Sequence, residues 1–166
     1  MDCLKSLKSG QMTTILTLKI GETALMAMPA LMAFIPMIMG TAGNAGGQAS
    51  VLIIRNMAIG DVCPKDILKV LWREMRIGIL CGIALGIVNS IRVYFFSDKN
   101  PLLVLTLTLT LMGVVVFAKS LGCLLPVLAK KIKLDPTVMA TPLLTTIADA
   151  SSLLLFFVVA SWLMGI

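Results

Sequence analysis

The sequence has no histidine, eight acidic and fourteen basic residues, and 5% aromatics. Only 13% of its 166 residues are charged, whereas 58% are hydrophobic, with a mean hydropathy of +1.02. A soluble domain is about half apolar and about a quarter charged. The scarcity of charge therefore excludes an ordinary soluble domain, a disordered chain and a soluble nucleic-acid binder, despite the net charge of +6. Cys3, Cys63, Cys81 and Cys123 show no CxxC or other ligand spacing. Without histidine to join them, a zinc or haem site is not expected. The twelve methionines read as adaptable apolar packing. At ~20 residues per crossing, the chain has room for membrane spans and none for a soluble catalytic domain of ordinary size.

Charges mark the span boundaries. Between Glu22 and Arg55 lie 32 uncharged residues, and between Arg76 and Arg92 lie 15, with the span continuing to Phe96 as Arg92 snorkels. From Pro101 to Ala118 there are 18 uncharged residues, and apolar character resumes after Lys119 to Ala129. From Pro136 to Ile166 the one charge is Asp149. Lipid cannot satisfy a backbone amide, so these spans are helices or closed strands. The alternating stretch Leu105 to Met112 reads as helix, because its apolar surroundings exceed the roughly 9–11 residues of a barrel strand and threonines in lipid can bond back to their own helix. The expectation is an all-α polytopic membrane protein with four transmembrane helices, residues 22–166. Residues 1–21 form a short, reduced or interfacial first helix.

The loop after the first span carries Lys65, Lys69, Arg73 and Arg76, and the loop before the last carries Lys130, Lys131 and Lys133. The positive-inside rule places both in the cytoplasm and the C-terminus outside. Residues 60–74 read either as a surface helix lying on the membrane or as an extension of the next span.

Asp149 lies 13 residues after Pro136, ~20 Å along a continuous helix, which is near mid-membrane. An ionised carboxylate there costs at least ~2.5 kcal/mol and by default marks an ion or proton pathway. The plainer reading is a carboxyl buried against packing hydroxyls. Thr141, Thr145, Asp149 and Ser152 share one helix face. Pro142 is expected to free a carbonyl toward a cavity. In the first long span, Thr41, Asn44 and Gln48 form a second polar stripe, shadowed by Gly40, Gly43 and Gly47. Small residues and amides there serve close helix packing or an unwound ion site.

One aspartate per chain makes a weak divalent site. Two-fold dimers are the commonest oligomers, and two copies of Asp149 near such an axis would balance one divalent ion. Oxygen donors favour magnesium, calcium or manganese, and magnesium keeps much of its water.

The segments Phe34 to Val62, with GNAGGQ, and Leu124 to Phe157, with DPTVMATPLLTTIAD, resemble the glycine-rich second helix and the fifth helix of MgtE-family magnesium channels. The resemblance runs from Glu22 to the C-terminus. It implies a homodimer in an inner membrane, bathed in lipid, with a pore on the two-fold axis between second and fifth helices. It further implies hydrated Mg²⁺ as the transported ion, with Mn²⁺, Co²⁺ and Ca²⁺ as possible alternatives, and no enzymatic activity. The family's pore aspartate corresponds to Asp149, its pore-lining positions one and two turns earlier to Thr145 and Thr141, and its glycine-rich wall to Gly43, Asn44, Gly47 and Gln48. The family's large cytoplasmic sensor module has no counterpart among these residues. Two other classes compete. Asp149 could act as the carrier of a proton- or sodium-coupled transporter, or a symmetric pair could serve an intramembrane aspartyl protease.

Overall fold

The computed structural model describes residues 29–62, 66–96, 101–139 and 142–164. The segment 1–21 lies outside them. A 3₁₀ turn, Pro29–Phe34, leads into α1 (Ile35–Ala58). Then come α2 (Ile67–Phe96), α3 (Pro101–Lys131), the single turn α4 (Pro136–Met139) and α5 (Pro142–Met164). Among the described residues every regular element is helical.

Three of these helices, α2, α3 and α5, are long and apolar enough to cross a membrane. The sequence reading expected four spans. The fourth, α1, has 24 residues, a rise of ~36 Å, so length is not what sets it apart. Its Thr, Gly, Asn, Gln and Ser residues dilute its apolarity. Residues 67–74 belong to α2, so this part of the basic segment is an extension of the next span and not a separate surface helix. The LTLTLTLM stretch is helical within α3, where Thr106 and Thr108 donate hydrogen bonds to the carbonyls of Leu102 and Val104, both at 2.8 Å.

Helix ends follow local chemistry. Gly60, at φ +85°, closes α1 in a left-handed cap in which the Asp61 amide donates to Asn56 O at 3.0 Å. The same cap ends α3, but with Lys133 at φ 60°, and the Leu134 amide donates to Ala129 O at 2.9 Å. Asp135 then accepts from the Thr137 amide at 2.9 Å and the Thr137 hydroxyl at 2.7 Å, capping α4. These bonds hold the exposed Asp135 carboxyl below the usual aspartate range, the hydroxyl contributing more than the amide.

The core is organised around α3, which packs on α1, α2 and α5. Apolar burial cannot drive helices together in lipid, so close approach and dispersion must. Gly82 of α2 supplies such an approach: a Cβ there would stand 3.0 Å from Met112 Cα. Gly46 of α1 and Gly122 of α3 go further, since a Cβ on Gly122 would collide with the Gly46 carbonyl oxygen. A large cluster around Ile38, Leu107, Leu111 and Phe156 joins α1, α3 and α5. A smaller one joins Ile53 and Met57 of α1 with Cys123 and Val127 of α3, and Ile67, Val70 and Leu71 of α2 pack against it. The end of α1, the start of α2 and the end of α3 therefore meet at one end of the bundle.

Candidate functional site

The site lies between α1 and α5. Met39, Gly40, Gly43, Asn44, Gly47 and Gln48 form one wall, and Thr145 and Asp149 the other, around an open groove of about 470 Å³. A Cβ on Gly43 would lie 3.7 Å from Asp149 Oδ1 and 3.7 Å from Thr145 Cγ2. One on Gly40 or Gly47 would meet nothing within 4 Å. The glycines therefore leave one flank of α1 bare opposite the carboxylate, while Asn44 and Gln48 carry amides at its edge.

Asp149 is half-buried, and neither of the ion pairs formed among the described residues, Lys69–Asp66 and Lys119–Glu74, involves it. Among the described residues no three of His, Cys, Asp and Glu gather closely enough to hold a metal ion. The groove thus offers one carboxylate, one threonine and two amides. These are all hard oxygen or nitrogen groups, suited to an ion that keeps its water.

The sequence-derived stripe on α5 is only partly realised here. Thr145 and Asp149 line the groove. Ser152 is buried and donates to Asp149 O at 2.8 Å, so it braces the helix behind the carboxylate. Thr141 lies outside the described residues. Pro142 is the first described residue of α5, and its carbonyl, rather than facing a cavity unpartnered, accepts from the Thr145 and Thr146 hydroxyls at 3.1 and 2.8 Å. Within the described part of α5, Asp149 lies ~10 Å from Pro142 and ~22 Å from Met164 along the helix.

The stripe on α1 divides between two recesses. A second cavity, about 390 Å³, is lined by Thr41, Asn44, Ala45 and Gln48 of α1, Cys81, Ala84 and Leu85 of α2, and Val115 and Lys119 of α3. Asn44 and Gln48 border both recesses. Thr41 donates to Met37 O at 2.7 Å and borders only the second.

The ion pair behind that cavity escaped the sequence reading. Lys119 Nζ and Glu74 Oε2 are 3.3 Å apart, with side chains 8% and 3% exposed. The sequence reading treated Lys119 as a span boundary and Glu74 as part of a basic loop. The available signal was that Lys119 interrupts an apolar helix while Glu74 stands alone among bases, and two opposite charges on neighbouring helices can cancel.

A family model, MgtE, described as divalent cation transporter, matches residues 35–159. Over 143 residues the chain is 36% identical to the magnesium transporter MgtE of Thermus thermophilus, covering 86% of this chain and 31% of that protein. It is 32% identical over 144 residues to the magnesium transporter MgtE of Bacillus subtilis, covering 84% and 31%. It is 31% identical over 134 residues to that of Enterococcus faecalis, covering 81% and 29%. The chain spans about a third of the length of these curated relatives.

Proposed function

The chain belongs to the MgtE family of divalent cation transporters, and from that premise we propose that it carries Mg²⁺ across the membrane through a pore built between two copies of itself. The observation that carries this reading is the carboxylate of Asp149 facing the bare glycine flank of α1 across an open groove.

A divalent ion in low dielectric needs more than one negative charge. Two copies placed about a two-fold axis, groove to groove, supply two Asp149 carboxylates. At ~4 Å and an effective dielectric near 20, each attracts the ion by on the order of 8 kcal/mol before desolvation. Magnesium surrenders water reluctantly, so the ion is held through its hydration shell. Gly40, Gly43 and Gly47 leave the volume that shell requires. Thr145, and Thr141 four residues before it in the sequence, orient its waters, and the Asn44 and Gln48 amides form the facing wall. Thr41 supports that wall from behind. Mn²⁺, Co²⁺ and Ca²⁺ meet the same donors and compete according to size and ease of dehydration.

The basic end of the bundle, with Arg55, Lys130 and Lys131, faces the cytoplasm of an inner membrane, and the C-terminus lies outside. A potential negative inside then supplies ~2.3 kcal/mol per charge per 100 mV, twice that for a divalent ion.

Uptake of Mg²⁺ into proteoliposomes, read with an internal magnesium dye under an imposed potential, tests the reading. Asp149→Asn removes charge with little change of shape, and uptake falls to the level of empty vesicles. Undiminished uptake by that variant overturns the proposal.

A further inference from the structure

The first turns of α2 present two different faces. Ile67, Val70 and Leu71 pack inward against the smaller core cluster, and Glu74 is buried on Lys119. The outward face carries Leu68 and Trp72, 76% and 62% exposed, interleaved with exposed Lys69, Arg73 and Arg76. Leu68 and Trp72 are one turn apart and so share a face, as do Lys69, Arg73 and Arg76. A helix face turned to water does not normally expose a leucine and a tryptophan side by side, and one turned to hydrocarbon does not carry three bases. The mixture fits the headgroup level of a bilayer, where amphipathic aromatics concentrate.

Distances along α2 agree. Trp72 and Tyr94 are 22 positions apart in one helix, a rise of ~33 Å, close to the ~30 Å hydrocarbon thickness. Tyr94 and Phe95 are exposed at the far end, completing a second aromatic level. Between Arg76 and Arg92, near the two levels, the outward surface of α2 is apolar, with Ile79, Leu80, Ile83, Ile87 and Val88 exposed. The basic face is continuous with this lipid-facing surface.

Among the described residues the charge there is scarcely neutralised. Lys69 reaches Asp66 only at 3.9 Å, and the Lys69 side chain is 88% exposed. An exposed pair of this length holds little of the charge. Arg73 and Arg76 take part in no ion pair among the described residues.

We propose that the outward face of residues 68–76 is a binding site for anionic phospholipid headgroups. Trp72 sits where headgroups meet the upper acyl region, Leu68, one turn farther from the bilayer centre, packs among the headgroups, and Lys69, Arg73 and Arg76 engage lipid phosphates. Arg76, one turn deeper than Trp72, reaches back to the same phosphate plane.

The chain contains two tryptophans, Trp72 and Trp162, which makes a direct test possible. The full chain carrying Trp162→Phe is placed in nanodiscs in which part of the lipid is brominated near the top of its acyl chains, as phosphatidylglycerol or as phosphatidylcholine. Trp72 fluorescence is quenched more by the brominated phosphatidylglycerol, and the relative association constant favours it by at least ~fivefold, the preference expected of one base near an anionic surface. Lys69→Gln, Arg73→Gln and Arg76→Gln together bring that ratio to about one, as does raising the salt until the Debye length is ~3 Å. The converse variant, Trp72→Phe, reports from Trp162 on α5, whose last turn carries no base, and shows no preference. Equal quenching of Trp72 by the two lipids overturns the proposal. So does weak quenching by both, which means that protein covers the face, or a preference that survives high salt. The salt arm applies to the otherwise unaltered chain and does not depend on whether the triple variant folds.

Discussion

Gly43 and Asp149 face each other so closely that a single methyl on the glycine would touch the carboxylate: its Cβ would lie 3.7 Å from Asp149 Oδ1. That distance is ordinary van der Waals contact. Gly43→Ala is therefore expected to fold as well as the parent and to keep measurable Mg²⁺ uptake. Gly43→Val adds branches that reach the carboxylate oxygen. Displacing the ion by enough to lose ~1.4 kcal/mol of stabilisation slows passage about tenfold, and uptake in proteoliposomes should fall by at least that much. Equal uptake by the valine variant and the parent would remove Gly43 from the groove wall.

Glu74 and Lys119 make a double-mutant cycle worth measuring. Breaking a buried pair from one side costs about 3–5 kcal/mol, because the remaining charge is left uncompensated. Glu74→Met and Lys119→Met should each lower the unfolding temperature sharply in detergent. Glu74→Met combined with Lys119→Met should recover most of the loss, since an apolar replacement of a whole buried pair is often neutral. Strictly additive losses would mean that the two groups do not compensate each other.

Gly122 and Gly47 separate packing from open space. Gly122→Ala drives a methyl into the Gly46 carbonyl oxygen, and overpacking of this kind costs about 1–3 kcal/mol or more. Gly47→Ala meets nothing within 4 Å and gains helix propensity of up to ~1 kcal/mol. Thermal unfolding should rank the variants Gly47→Ala, parent, Gly122→Ala, from most to least stable.

The Asp135 cap has a defined pH dependence. The folded carboxyl titrates below its ordinary range because of Thr137, so its contribution is present above the unfolded value and is lost as pH falls through the lowered folded value. The Thr137 amide proton shift, followed by NMR, should hold steady down through the ordinary aspartate range and move only below it. In Asp135→Asn that movement disappears, while the amide bond to the cap persists.

Much of the architecture was legible because charge is so scarce. Arg55, Arg92 and Lys131 stand out in an apolar chain and lie near helix ends, whereas Lys119 and Asp149 stand out within helices. Asp149 and Thr145 were also legible, four residues apart on one face, and the structure brings both to one groove. Two features were not. A helix of glycines and amides is as long as a span without being as apolar as one, so α1 does not stand with α2, α3 and α5. The Glu74–Lys119 pair joins residues 45 positions apart, and no local periodicity records a contact between two helices.

The main-chain contact between Gly46 and Gly122 has a mechanical consequence. Peptide backbone pressed on peptide backbone leaves no side chain whose rotation could absorb sliding, so α1 and α3 move as one rigid strut. On its other flank, α1 meets α5 across bare glycines at the groove, where packing is looser than in the cluster around Ile38 and Phe156. Any widening of the groove is therefore expected as a displacement of α5 against the α1–α3 pair. Spin labels on α1 and α3 should hold one separation with and without Mg²⁺, while a pair on α1 and α5 should change.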